Sequence, residues 1–452
     1  MNTPTSVSDP RTAQRFRLVR CRYAKGTAEL VYAFDAGPEL IEHIHFPGQP
    51  EPQPERRKAF TQALRLLHWV AGTSYFKAGV PAEISFDDEP IDSDSAALLD
   101  TLYRHGLAEF AYRNQLQLGD RIHFPAAAKL PEHAASAQLS DRVLVPMGGG
   151  KDSLVVVEAL KSMAAEATAI WVGTSPLIAA CAQTTGLPML NITRELAPEL
   201  FEMNRMGAWN GHIPVTAVNS AILVLAALLY DFRAIAFANE RSASSATLEY
   251  EGQKVNHQWS KSWAFEQDFS AYLQRHIAAD LQYFSLLRPY SEIAVTQAFS
   301  HLPQYFKHFS SCNRNFRILS PKPADRWCGQ CPKCHFVFLA LAPFLPKPRL
   351  LSIFGHNLLD DETQCDSFDA LLEYHQHKPF ECVGEGAEAR AAMASLAARS
   401  EWREDALVAR FRHEILPQLD PQDRPLETWL QAASEHGIPA RYHPALQWIG
   451  SD

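Results

Sequence analysis

The spacing of apolar residues changes several times along this 452-residue chain, and each change marks an element. In FRLVRCRYAKGTAELVYAFDAG two β-rich runs flank Lys25-Gly26, a pattern that predicts a hairpin. Amphipathic helical spacing follows over 55–72 and again over 92–114. These elements predict a small N-terminal α+β domain over residues 1–135. The stretch FPAAAKLPEHAASAQLSD (124–141) is rich in Ala, Pro and Ser and has no strong period, so it marks a linker at the boundary.

From Asp141 the texture changes. RVLVPM, ATAIWVGT, PMLNITREL and RAIAFAN read as strands, and LVVVEALKSMAAE, SPLIAACAQTTG and AVNSAILVLAALLYDF between them as helices. Alternating β and α segments predict an α/β fold with a parallel sheet and helices on its faces. Such sheets bind ligands beyond the carboxyl ends of their strands. This central domain is expected over 136–345. The Pro-rich PFLPKPRL then opens a mostly helical C-terminal extension, 346–452. The apolar runs at 221–229 and 336–345 fall short of the ~20 residues that span a bilayer, so no membrane segment is expected.

The strongest local signal is VLVPMGGGKDSLVVVEAL: strand, glycine-rich turn, helix. Gly148, Gly149 and Gly150 let backbone approach an anion, and the following helix offers unpaired N–H groups and a positive dipole end. Lys151 adds a charge and Ser153 a hydroxyl. A Walker A loop needs Ser or Thr where Asp152 stands and a glycine where Val145 stands; a dinucleotide loop needs glycine where Ser153 stands. Both spacings fail. What remains resembles the SGGxDS signature of the PP-loop ATP-pyrophosphatases, with Gly148 in place of the leading Ser. The resemblance implies ATP bound by Gly148–Ser153, Mg²⁺ held with the help of Asp152, and an adenylated substrate.

Net charge is −9, from 42 basic and 51 acidic residues, which argues against bulk nucleic-acid binding. The N-terminus shows no apolar export segment, so a cytoplasmic protein is expected. Of eight cysteines, Cys21, Cys181, Cys365 and Cys382 are scattered, while Cys312, Cys328, Cys331 and Cys334 cluster. In WCGQCPKCHF the two-residue spacings, completed by Cys312, suit an all-thiolate structural Zn²⁺ site, with His335 as a substitute ligand. The motif resembles the CGxCxxC zinc signature of 7-cyano-7-deazaguanine synthases; free thiols in a packed turn are the plain alternative.

Polar clusters complete the inventory. Asn239, Glu240 and Arg241 follow a strand, where an α/β sheet places ligand groups or caps a helix. VNHQWSKSWAFE concentrates Asn256, His257, Gln258, Ser260 and Lys261 beside aromatics, a mixture suited to carboxylates and phosphates. Asn210 and His212 form a further candidate rim. Cys382 sits in HKPFECVGEGAE, either as an inert thiol or as a base, since cofactor-independent amino-acid racemases use thiolates.

MGGGKDS, NERSAS, NHQWSKS, WCGQCPKC and HKPFECVG together resemble the UDP-N-acetylmuramoyl-L-alanyl-L-glutamate epimerases of bacterial peptidoglycan synthesis. The resemblance covers most of the chain. It implies ATP and Mg²⁺, a UDP-muramoyl dipeptide substrate, and inversion of its terminal glutamate through an acyl-adenylate. Lys151 and Ser153 would stabilise the leaving pyrophosphate. Asn239, Arg241, Asn256 and Lys261 would hold the substrate's carboxylates or diphosphate. Cys382, His257 and Glu240 are the candidate proton-transfer groups. Two alternatives stay open: another adenylating PP-loop enzyme, deazaguanine synthase-like or tRNA-modifying, and a non-catalytic nucleotide-binding module.

Overall fold

The computed structural model describes residues 9–127, 133–316, 321–421 and 425–450; residues 128–132 of the expected linker lie outside them. Eleven strands are present among the described residues: β1 Arg15–Ala24, β2 Thr27–Phe34, β3 Leu40–His45, β4 Glu83–Phe86, β5 Val143–Pro146, β6 Ala167–Val172, β7 Met189–Glu195, β8 Ala234–Phe237, β9 Leu248–Tyr250, β10 Gln253–Val255 and β11 Gln282–Ser285. β9 and β10 form a separate hairpin, and the other nine make one sheet in the order β11-β8-β5-β6-β7-β3-β2-β1-β4. The segment β11-β8-β5-β6-β7 is parallel, as the β/α alternation predicts.

The N-terminal and central segments are not separate sheets. β3 pairs antiparallel with β7, with Ile44 opposite Arg194. At this seam the buried Glu42 carboxylate takes two hydrogen bonds from the Arg194 guanidinium, at 2.7 and 3.2 Å, and Arg194 also reaches Ser74 Oγ. The paired geometry satisfies two charges that burial would otherwise penalise heavily.

Because strand side chains alternate, the sheet divides two cores. Leu144, Ile170, Ile235 and Phe237 join the N-terminal helices and the helix Val215–Tyr230 on one face. Val143, Val145, Ala169, Trp171, Ala234 and Ala236 join the C-terminal helices on the other. With both faces covered, β8 is buried along its length, and its all-apolar sequence follows from that.

Two local outcomes differ from the pattern. The helix expected over 92–114 is two helices, Ser93–Gly106 and Ala108–Asn114. The break follows Gly106, where a Cβ would lie 2.7 Å from Pro214 Cγ, a contact that draws the backbone close. β11 escapes the sequence pattern because its four residues are too few to show a period. No helix among the described residues is long and apolar enough to cross a membrane.

Candidate active site

A cavity of about 290 Å³ opens beyond the carboxyl ends of β5, β6 and β8. Its floor is the glycine turn between β5 and the helix Lys151–Ser162. Gly150 is needed for close approach: a Cβ there would sit 2.6 Å from Ser311 Oγ. Gly149 has φ +78° and its carbonyl accepts from Ser310 N at 2.8 Å. At Gly148 a Cβ would meet nothing within 4 Å, so the missing leading serine leaves open space over an intact backbone cradle.

Gly148, Gly150, Asp152, Ser153, Asn239, Lys261 and Cys382 all face this cavity, so the structure brings the glycine turn and the late cysteine together. Lys151 is placed differently. Its ammonium is buried between the carboxylates of Asp152 and Glu292, away from the cavity wall. Burial depresses its pKa, but those two carboxylates outweigh burial and push it up, so the charge is retained. Cations in the wall are Lys261 and Lys333, the latter 3.8 Å from Glu292 Oε1.

Cys382 is strongly perturbed by its neighbours in the wall. Burial raises a thiol's pKa, but Lys261, with Nζ 3.3 Å from Sγ, and then a hydrogen bond from His257 overcome it and lower the value to about 5. His257 moves the opposite way: burial lowers it, while Cys382 and Glu109 raise it to about 9. The Nδ1 of His257 meets Glu109 Oε2, and His212 lies against it, with ring centroids 4.4 Å apart and its own Nδ1 3.8 Å from the same carboxylate oxygen. Glu109, His257 and Cys382 thus form a connected series that ends in the cavity, with shifts that favour a charged imidazole and a charged sulfur. The Cys382 loop is seated on the N-terminal half of the chain, where Phe380 packs on Tyr112 at 5.5 Å and under Arg113.

Glu240 follows Asn239 but turns into the interior. Burial, then Glu292 and Asp152, raise its pKa to about 7, and Oε1 is buried without a hydrogen-bond partner. Asn239 donates to Ser285 Oγ at 3.1 Å. Asn256 braces a turn, donating to Ala243 O and accepting from Gln258 N. Arg241 and Asn256 face a second cavity instead of this one. Asn210 accepts from Lys77 Nζ at 2.7 Å.

Cys312, Cys328, Cys331 and Cys334 come together with all four sulfurs within 4.8 Å of one another. Three of the separations are 3.4, 3.8 and 4.0 Å. Four thiolates around one Zn²⁺ stand roughly 3.8 Å apart, so the set fits that ion. His335 is turned away from the sulfurs, bonded to Ser367 Oγ and Gly329 O. The cluster also shapes the cavity: Ser311 and Asn313 flank Cys312, and Lys333 precedes Cys334, and all three line the wall.

Glu109, Glu292 and Lys333 were not marked by the sequence as site residues. Lys333 had a signal, lying inside the cysteine motif; the two glutamates sit in ordinary helical surroundings.

Comparison with known proteins gives a consistent result. Family models described as the MurL N-terminal domain and the MurL C-terminal domain match residues 7–286 and 308–425. A protein of Xanthomonas oryzae pv. oryzae named UDP-N-acetyl-alpha-D-muramoyl-L-alanyl-L-glutamate epimerase is 58% identical over 444 residues, 98% of each chain. Proteins of the same name are 40% identical in a Micromonospora species, covering 94% of this chain and 95% of that one, and 40% identical in Salinispora tropica, covering 89% and 87%.

Proposed function

The chain belongs to the MurL family, and from that premise we propose that it is an ATP-dependent epimerase of peptidoglycan precursor synthesis, converting the terminal L-glutamate of UDP-N-acetylmuramoyl-L-alanyl-L-glutamate to D-glutamate. The observation that carries this reading is the sulfur of Cys382, 3.3 Å from Lys261 Nζ, in the wall of the cavity floored by the glycine turn. In this reading the thiol would act as a base beside a glycine turn that would cradle phosphate, so both could serve one substrate.

The chemistry requires both. A proton α to an ionised carboxylate is hard to remove, because the resulting enolate carries a second negative charge. In the proposed sequence a carboxylate oxygen of the glutamate attacks the α-phosphorus of ATP, the bond to the β-phosphate breaks, and pyrophosphate leaves. The acyl-adenylate has lost the carboxylate charge and has a more acidic Cα–H. Cys382 then takes that proton, and an acid on the opposite face returns one. Hydrolysis releases AMP and the inverted product.

Gly148–Ser153 would hold the phosphates in the manner of a PP-loop fold, with Lys261 and Lys333 offsetting their charge. Lys151, buried, pairs with Asp152 and Glu292 and holds both carboxylates in place, and its charge favours the ionised form of Asp152. Mg²⁺ would be held by Asp152 and neutralises charge on phosphate oxygens when bound. His257 keeps the thiol ionised, and Glu109 keeps His257 protonated.

The test is to incubate the protein with ATP, Mg²⁺ and the L-Ala-L-Glu nucleotide and to assay AMP and chiral glutamate after acid hydrolysis. D-Glutamate formed with AMP is expected. AMP without D-glutamate would point to a different adenylating enzyme, and ADP as product would remove the adenylation step.

The four-cysteine cluster would hold a structural Zn²⁺. Purified protein is expected to contain about one equivalent, lost in Cys334→Ser together with thermal stability and ATP affinity, since Ser311 and Lys333 hang on the cluster. Less than about half an equivalent in the wild type would favour free thiols.

A further inference from the structure

The cavity at the glycine turn is occupied, in the proposed reaction, by ATP and the glutamyl end of the substrate. A second cavity, of about 390 Å³, is within the range of small-ligand sites. The same segments wall both. Asn239 and Lys261 face the first cavity; Arg241 and Ser262 face the second.

Its charges are available. Arg241 is half-buried and Lys254 exposed, and neither side chain has a hydrogen-bond or ion-pair partner among the described residues. A half-buried guanidinium without a counter-charge forfeits hydration for nothing in the free protein, and gains most from an anion. The aromatics divide in a similar way. Trp259 is covered by His105, stacked at 5.4 Å and 19°. Trp263 is half-buried, lines the same cavity and stacks on no other ring among the described residues. Gly437 backs it closely, since a Cβ there would lie 3.2 Å from the indole. Glu435, exposed at the rim, is an acceptor suited to sugar hydroxyls.

The larger cavity of about 980 Å³ between the N-terminal helices and the β9–β10 hairpin is less suited, despite three arginines. Arg104 and Arg121 donate to the Ile122 and Val80 carbonyls, Arg11 is paired with Asp9, and Asp120 and Glu251 face the same space.

We propose that the 390 Å³ cavity binds the nucleoside diphosphate end of the substrate, with Arg241 and Lys254 on the diphosphate and Trp263 against the pyrimidine. The choice of uridine diphosphate as ligand rests on the epimerase reading. UDP alone, titrated calorimetrically into the full-length protein, tests the site without turnover. Wild type is expected to bind UDP whether or not α,β-methylene-ATP is present at saturation. Arg241→Ala and Lys254→Ala are each expected to weaken UDP by about tenfold or more, and to raise KM for the UDP-linked substrate similarly with kcat and the KM for ATP little changed. No UDP binding, binding abolished by the ATP analogue, or equal affinity in wild type and both variants overturns the proposal. Weakened UDP binding in a protein that does not epimerise would uphold the cavity and overturn the reaction. Epimerisation with UDP affinity untouched in both variants would do the reverse.

Discussion

Cys382→Ala is expected to lower kcat/KM for epimerisation by roughly three orders of magnitude, the middle of the range that a positioned proton-transfer group contributes. Release of AMP should persist, because adenylation depends on the glycine turn and not on the thiolate. Exchange of the glutamyl α-hydrogen in D₂O separates the two steps: it should vanish in the variant, and exchange at the wild-type rate would show that another group is the base. The pH profile carries a second, sharper expectation. A thiolate base with pKa about 5 is lost as pH falls through that value, so activity declines on the acid side there. The imidazolium of His257, pushed up to about 9, is lost as pH rises through that value, which sets the alkaline limb. Glu109→Gln removes one of the groups holding His257 protonated, so its alkaline limb should move to lower pH. An unmoved limb would mean that Glu109 only packs there.

Glu42→Ala is expected to be strongly destabilising, by about 3–5 kcal/mol, because it strands the mostly buried Arg194 guanidinium without its carboxylate. Arg194 would keep only its bond to Ser74 Oγ, at 2.9 Å. Replacing both partners by apolar residues, Glu42→Leu with Arg194→Met, is expected to recover much of the loss, since neither charge is then buried. Chemical denaturation of the three proteins measures this. A single variant costing less than ~1 kcal/mol, as an exposed pair would, contradicts the seam's assigned role.

What the sequence made legible was whatever is written locally. The glycine motif lies in six consecutive residues at a strand-to-helix junction, and three of the four clustered cysteines lie within seven, so spacing alone exposes both. The partners of those motifs are distant. Glu109 meets His257 across 148 positions, and Glu292 meets Lys151 across 141. Nothing in a helical stretch such as Ala108–Asn114 says that its glutamate will orient an imidazole on another segment. Lys151 shows the limit of motif logic. Its place in GGGKDS suggests contact with phosphate, yet at the first helical position its side chain packs towards the helix Glu292–Ser300, where two carboxylates take its charge. The strand pattern correctly indicates a mainly parallel α/β sheet, but it is silent on neighbours, and so the pairing of β3 with β7 has no local signature.

That pairing also imposes an order of events during synthesis. Glu42 and Arg194 are 152 residues apart, so the β1–β3 meander leaves the ribosome long before β7 exists to cover its edge. At roughly 5–20 residues per second the β3 edge stays open for about 8–30 s, exposed to any other strand in the vicinity. The alternating His43 and His45 on that edge, polar and half-exposed, keep it less adhesive than an apolar strand would be. Completion of the sheet is therefore a late, long-range closure, and a chain truncated before residue 189 would present an unsealed edge to its neighbours.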